Sequence, residues 1–322
     1  MPVISRMVML CLVLLVSGHA AAIDVADAAV QAFLKANTKT KGFDRGFAEA
    51  SLRGAHWLPS VVEAMQRPAE AKPWHRYRPI FLTDERINAG RKYLETHQEA
   101  FAATEQSLGV DQAMVAAIIG VETFYGRNAG KYVVLDALTT LAFRYPKRAE
   151  FFQRELAEFL ILAQEQGFDP KALRGSYAGA RGLGQFMPSS YRAYAVDGDG
   201  DARVDIWENP RDAIQSVANY FLEHGWQAGA PIALPVTAPA DWHWQAPKDY
   251  QPNVVVADLR AQGFSVPAEL LGDERVALIG LEGERGMEYW IGFKNFYVIT
   301  RYNRSPLYAM AVLQLAQALG LP

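Results

Sequence analysis

The chain has 322 residues, half of them apolar, and a formal net charge of −3 with both signs spread along it. That supplies a sizeable core, excludes large-scale disorder, and, with no long basic block, excludes nucleic acid as the main partner. The sole cysteine, Cys11, lies in an apolar run from Met7 to Val16 that follows Arg6 and precedes Ser17-Gly18-His19-Ala20-Ala21-Ala22. This reads as an export signal cleaved after Ala20 or Ala22, without the small residues before Cys11 that a lipoprotein signal would show. Ten apolar residues are too few to span a bilayer comfortably. The mature chain then lacks any thiol, and packing must hold it together.

From Asp24 to Gln66 the pattern is helical, punctuated by Gly42, Gly46, Gly54 and Pro59. Pro68, Pro73 and Pro79, with Trp74 and Tyr77 between them, predict an extended connection. Thr83 caps a second helical block that runs through Tyr93 toward Leu108.

The next stretch, Asp111 to Gly126, predicts a helix of about four turns, with Asp111 as N-cap and Gly126 closing it in the left-handed conformation. From Ala113 to Val121 no face carries a charge, as expected of a helix wrapped by protein. Glu122 then stands at the border of an apolar face, near the negative end of the helix dipole. Both effects favour a protonated carboxyl, which is what a general acid needs. A helix-end carboxylate paired with Arg127 or Lys131 is the alternative that this helix alone leaves open.

Leu135 to Phe143 and Arg148 to Glu165 are again helical, the second with a core stripe of Phe152, Leu156, Phe159 and Ala163. Gly175 to Ser190 holds four glycines and Pro188 around Gln185, a backbone that turns tightly and admits a close approach. It is not a phosphate loop, since no Lys-Ser or Lys-Thr follows; a plain turn before a helix is the other reading. Asp197, Asp199, Asp201, the Arg203 carbonyl, Asp205 and Glu208 fill positions 1, 3, 5, 7, 9 and 12 of an EF-hand-like calcium loop. Position 6 is Ala202 where glycine is expected.

Asn209 to His224 is helical. Between about Ala230 and Gly286 six prolines break any long helix, while Asn253–Ala257 and Arg275–Glu282 read as strands of a small antiparallel sheet. Ser305-Pro306 opens a last helix from Leu307 to Leu319. The six histidines show no metal-ligand spacing. The fold class is mainly α with a small antiparallel β subdomain.

Val-Glu-Thr at 121 to 123 with Gly126, Ser176, Gly-Leu-Gly-Gln-Phe-Met-Pro-Ser-Ser at 182 to 190, Val-Ala-Asn-Tyr-Phe at 217 to 221 and Arg-Tyr-Asn-Arg-Ser-Pro-Leu-Tyr at 301 to 308 together resemble the B-type lytic murein transglycosylases. The likeness runs in the same order from about residue 24 onward. It implies a goose-lysozyme-like helical core, with a signal peptide at 1–22, an N-terminal helical region at 23–104, the catalytic core at 105–230, a β-rich subdomain at 231–290 and a segment at 291–322 returning to the core.

The resemblance also implies that Glu122 protonates the glycosidic oxygen between N-acetylmuramic acid and N-acetylglucosamine. Ser176, Gln185, Tyr220, Tyr302, Asn303 and Tyr308 would bind the substrate; neutral donors and aromatic faces suit hydroxyls, acetamides and pyranose rings. Hydrolysing glycosidases usually pair two carboxylates, and the matched motifs hold one. In the family the substrate takes part: Glu122, first acid and then base, would let the muramic O6 close a 1,6-anhydro end without consuming water. No cofactor would serve the chemistry, and a structural Ca2+ is expected on Asp197, Asp199, Asp201 and Arg203. The similar family loop takes its last ligand from Asp212, with Glu208 and Asp205 as alternatives. A periplasmic monomer acting on peptidoglycan glycan strands, beside cell-wall synthesis or degradation proteins, is the expectation. A hydrolytic muramidase and a non-catalytic peptidoglycan-binding scaffold are the rival readings.

Overall fold

The structure, a computed structural model, describes residues 22–66 and 71–321; the expected signal up to residue 21, with Cys11, lies outside the described residues. Helices dominate. After α1 (Ala28–Asn37), α2 (Arg45–Leu52) and α3 (Pro59–Met65) come α4 (Trp74–Phe81), α5 (Asp84–Thr96) and α6 (Gln98–Leu108). Then follow α7 (Gln112–Thr123), α8 (Val134–Arg144), α9 (Ala149–Glu165), α10 (Pro188–Tyr194) and α11 (Pro210–Glu223).

Two short strands, β1 (Tyr132–Val133) and β2 (Arg174–Gly175), pair antiparallel before α8 and after α9. Downstream lie β3 (Ala233–Val236), β4 (Val254–Val255), α12 (Val256–Ala261), β5 (Arg275–Gly283), β6 (Gly286–Gly292), α13 (Lys294–Tyr302) and α14 (Pro306–Leu319). The four strands form one antiparallel sheet in the order β3-β6-β5-β4.

Three apolar clusters hold these elements. The largest surrounds α7, whose residues from Ala113 to Val121 are all buried, and joins it to α14, α11, α13, Trp74 and Phe101. A second packs α1 to α3 on α8 and α9 through Phe33, Leu52, Leu138, Leu156 and Phe159. A third lies under the sheet around Val256, Phe264, Val276 and Ile291. Six of the fourteen helices among the described residues start on a side-chain cap, two of them at positions expected from sequence as caps: Thr83 accepts from Arg86 N at 3.2 Å, and Asp111 accepts from Ala113 N at 2.7 Å.

Three expectations are corrected. The proline-rich connection is in part the helix α4, with Pro79 inside it. Trp74 and Tyr77 stand three residues apart, each 1% exposed, and α4 packs on α14 and β5; burial of two large aromatics outweighs the one hydrogen bond that proline forfeits. The strand expected at Asn253–Ala257 shrinks to β4 and turns at once into α12, whose Val256 and Leu259 enter the third cluster.

Finally, α7 ends at Thr123 rather than at Gly126. Phe124 (φ +52°), Tyr125 (φ +57°) and Gly126 (φ +88°) are all left-handed. Phe124 N still reaches Gly120 O, Tyr125 N reaches Ile119 O and Asn128 N reaches Thr123 O, so a tight hook satisfies carbonyls of the last turn, while the hydroxyl of Thr123 accepts from Gly126 N at 3.1 Å.

Candidate active site

The hook leaves Glu122 half-buried at the tip of a helix otherwise enclosed by protein. Its partner comes from the far end of the chain. Ser305 caps α14 by accepting from Tyr308 N, and Asn303 Oδ1 accepts from Ser305 N at 3.0 Å. This turn aims Tyr308 at the tip of α7, where its phenol donates to Glu122 Oε1 at 2.6 Å. Arg127, one candidate for an ion pair with Glu122, instead meets Glu85 at 2.8 Å and lies over the Phe124 ring.

The rings of Tyr302 and Tyr308 stack with centroids 6.5 Å apart and planes 10° apart. Tyr302 donates to Gly184 O at 2.5 Å, and Tyr220, on α11, donates to Arg301 O at 2.6 Å while its ring lies 4.7 Å from that of Tyr302. Burial, and then the charge of Glu122, push the phenols of Tyr302 and Tyr308 well above their ordinary range. Both are neutral donors at physiological pH.

The glycine-rich loop closes on this group. Thr123, next to Glu122, donates its hydroxyl to Leu183 O at 2.9 Å, so the helix tip and the loop are one unit. Gly184 is a close-approach position: a Cβ there would stand 2.8 Å from Tyr302 Oη and 2.8 Å from Val217 Cγ2. Gln185 has φ +50°, unusual outside glycine, and its amide donates to Gly182 O at 2.9 Å and Ala129 O at 3.3 Å. Ser176, just after β2, accepts from Ala178 N and Ala180 N at 3.2 and 3.0 Å and shapes the start of the same loop.

Thus Glu122, Tyr308, Tyr302 and Tyr220 are joined by contacts, Gln185 adjoins them through Gly184, Asn303 sets the turn before α14, and Ser176 stands at the loop's entry. Thr123 was missed from sequence; its only signal is a hydroxyl closing an apolar helix.

Behind the loop lies the acidic turn. Carboxylate oxygens of Asp197, Asp199 and Asp212 all come within 4.8 Å of one another. Asp212 is fully buried in the first turn of α11, accepts from Gly198 N at 2.8 Å and Asp205 N at 2.6 Å, and has its carboxyl raised by burial and by the charges of Asp199 and Asp197. Three converging carboxylates, one of them buried, could supply oxygen ligands to a hard divalent cation.

Asp205 Oδ1 accepts from Trp207 N and Glu208 N, while Asp201 Oδ1 accepts from Arg203 N; neither belongs to the converging group, nor does exposed Glu208. Ala202 takes the left-handed turn expected of glycine, at φ +68°. The turn supports the glycine-rich loop directly, since Leu183 N donates to Ile206 O at 2.9 Å. Arg181 lies 4.3 Å over Trp207, its guanidinium pushed down to about 10 by burial against the pull of Asp205.

A family model described as a transglycosylase SLT domain matches residues 25–317. The chain is 41% identical over 301 residues to the membrane-bound lytic murein transglycosylase B of Escherichia coli (strain K12), covering 90% of this chain and 82% of that protein. Its structure is similar to that of lytic transglycosylase SltB1 from Pseudomonas aeruginosa, with 47% identity, a TM-score of 0.84, and 91% and 97% of the two chains covered. It is also similar to the Escherichia coli lytic transglycosylase SLT35 in complex with calcium, with 41% identity, a TM-score of 0.82, and 93% and 95% covered. With nine-tenths of its length matched by relatives of this kind, and with a carboxyl group set among neutral phenols at the tip of a buried helix, the chain belongs to the transglycosylase SLT domain family.

Proposed function

We propose that this protein is a lytic murein transglycosylase that cleaves the β-1,4 bond between N-acetylmuramic acid and N-acetylglucosamine in peptidoglycan strands. The observation that carries the reading is the Tyr308–Glu122 hydrogen bond, which fixes one carboxyl group at the end of α7. Glu122 gives its proton to the glycosidic oxygen as the bond from that oxygen to C1 of the muramic residue breaks. The muramic acetamide oxygen stabilises C1. Glu122, now anionic, takes the proton of the muramic O6 as that oxygen bonds to C1, which restores the acid and leaves a 1,6-anhydromuramoyl end. Tyr308 stabilises the carboxylate formed between the two proton transfers.

Gln185, Asn303 and Ser176 supply neutral hydrogen bonds to hydroxyls and acetamides, and Tyr302 and Tyr220 form the aromatic wall. Residues 105–230 are assigned as the catalytic core, with 231–290 as an appended β-rich unit. Asp197, Asp199 and Asp212 would hold a structural Ca2+, joined by the Arg203 carbonyl and Asp201; the ion would hold the acidic turn against the glycine-rich loop. Export through a signal peptide cleaved near 20–22, to a compartment holding peptidoglycan, completes the reading, in which the chain acts as a monomer. Among the described residues no helix is long and apolar enough to cross a membrane.

The test is the mass of fragments released from purified sacculi. Anhydro ends, lighter than hydrated ends by one water, are expected from the wild type and lost in Glu122→Gln. Hydrated ends alone would instead identify a hydrolytic muramidase, and full activity of Glu122→Gln would remove Glu122 from the chemistry.

A further inference from the structure

Among the described residues three carboxyl groups are buried: Asp136, Glu155 and Asp212. Asp212 belongs to the acidic turn, and Asp136 accepts from His56 N at 2.9 Å in the N-terminal region. Glu155, on α9, is 4% exposed, and no lysine or arginine among the described residues forms an ion pair with it. Both of its oxygens serve one residue of another helix: Ser189 Oγ donates to Oε1 at 2.7 Å, and Ser189 N donates to Oε2 at 3.0 Å. Burial pushes this carboxyl group above its ordinary range, against the two bonds from Ser189. A carboxylate enclosed without a cation is costly, so its task lies beyond filling space.

The task follows from where Ser189 stands. Helix α10 begins at Pro188, and Met187 before it makes no side-chain cap. Ser189 N is one of the N–H groups that a first helical turn leaves unpaired, and Glu155 supplies its acceptor from 34 residues earlier in the chain. Farther along α10, Arg192 donates to Glu165 at 2.9 and 3.0 Å and to Glu158. Helix α9 thus grips α10 twice, at its buried start through Glu155 and in solvent through Arg192.

Helix α10 continues directly from the glycine-rich loop. Arg181 and Phe186 exchange two backbone hydrogen bonds, at 2.9 and 2.8 Å, which close the loop that holds Gly184 and Gln185. Phe186 enters the first apolar cluster, its ring 5.8 Å from that of Tyr220 and 5.9 Å from that of Tyr302. The next residue, Met187, packs on the second cluster, to which α9 contributes Phe152, Leu156 and Phe159. The loop therefore hangs between two apolar bodies. Thr123 and Tyr302 fix its tip from the first, and Glu155 fixes its base from the second.

We infer that Glu155 is a positioning residue for glycan binding: by holding Ser189 it sets the height of the glycine-rich loop, and so places Gln185 against the strand being cleaved. This rests on the transglycosylase reading above. Kinetics on soluble glycan strands, well below each variant's melting temperature, test it. Glu155→Asp keeps the charge but is one methylene too short to hold both Ser189 donors; it and Glu155→Ala should raise KM about tenfold, with kcat within about threefold of the wild type. Glu155→Gln still offers an oxygen to Ser189 N and an amide to Ser189 Oγ, and should return KM to within about threefold. Ser189→Ala should raise KM severalfold alone and not at all on top of Glu155→Ala, since the hydroxyl's partner is already gone. Leu156→Val loosens the apolar side of the same helix, and should lower the melting temperature with KM unchanged.

An unchanged KM in Glu155→Asp and Ser189→Ala would overturn the role, whether or not Glu155→Ala folds. So would a fall in kcat at constant KM, additive effects in the double variant, or an equal rise of KM in Leu156→Val, which would mark general loosening. If any of these comes with anhydro ends from the wild type, the positioning role alone is lost. A wild type that releases no anhydro ends would overturn the transglycosylase reading and the role with it.

Discussion

Tyr308 and Glu122 are 186 residues apart in the chain and 2.6 Å apart in the fold, phenol oxygen to carboxyl oxygen. A hydrogen bond to a charged group contributes about 1.5–3 kcal/mol. Tyr308→Phe should therefore lower kcat by roughly 10- to 100-fold, because the carboxylate formed after the first proton transfer loses a donor. Removal of that donor also disfavours the anion, so the alkaline limb of the activity profile should move to higher pH. Glu122→Gln should cost more, about 10²- to 10⁴-fold, with the melting temperature nearly unchanged. Steady-state rates on sacculi across pH, beside thermal melts, check both; equal pH profiles for Tyr308→Phe and wild type would deny the phenol this role.

Gly184 gives a steric test of the loop. An added Cβ would press on Tyr302 Oη and Val217 Cγ2, both at 2.8 Å, and neither can yield without moving a buried ring or helix. Gly184→Ala should cost about 1–3 kcal/mol of stability and reduce kcat, since Tyr302 stacks on Tyr308. Gly167→Ala is the control: its φ is +68°, with nothing within 4 Å of the new Cβ, so only backbone strain of about 1 kcal/mol is expected, with activity retained. A Gly184→Ala enzyme with wild-type kcat would separate the loop from the chemistry.

The acidic turn leads to a prediction about metal removal. With calcium a hundredfold above its Kd, binding adds about 2.7 kcal/mol, so chelation by EDTA should lower the melting temperature by about 5 °C. Activity should fall as well, because Ile206 O holds Leu183 N and Leu183 O holds Thr123 beside Glu122. Ala202, at φ +68°, carries a left-handed strain of about 1 kcal/mol that Ala202→Gly relieves. That variant should bind calcium more tightly, by roughly severalfold, as titration calorimetry can read. An unchanged melting temperature on chelation would dismiss the ion.

What could be read from the sequence was local. Asp111, Thr83, Asn209 and Ser305 announce their helices through side chains that satisfy N–H groups two or three residues on, and α7 announces its burial by having no charged face. What was hidden depends on distant partners. The hook after Glu122 exists because Tyr125 slots between α5 and α7, where a Cβ on Gly90 or Gly120 would come within 2.2 and 2.5 Å of its oxygen. Nothing near Tyr125 in sequence reveals Gly90. Likewise α4 forms across Pro79 because α14, over two hundred residues later, covers Trp74 and Tyr77. The motifs around Glu122, Gln185 and Tyr302 were visible as residue types, whereas the Tyr308 bond that orients the carboxyl was not.

The same buried phenols set the behaviour of the fold in alkali. Burial and the charge of Glu122 hold Tyr302 and Tyr308 well above their ordinary range, and burial raises Tyr220, Tyr191 and Tyr125 in the same direction. In the unfolded chain each phenol ionises near about 10. A folded value above the unfolded one means that the native state binds the proton more tightly. The stabilisation is complete below about pH 10 and is lost as pH climbs from there toward the folded values. The phenols at the site should therefore stay protonated until the helices melt. Phenolate absorbance and far-ultraviolet circular dichroism, followed together in a pH titration, should show one group of tyrosines ionising gradually and a second ionising only with the loss of helix. In Tyr302→Phe and Tyr308→Phe the loss of stability between pH 8 and pH 11 should be smaller than in the wild type, because each removes one phenol that the unfolded state alone can ionise. Ionisation of every tyrosine before any helix is lost would show that these phenols are not enclosed as the packing around Glu122 requires.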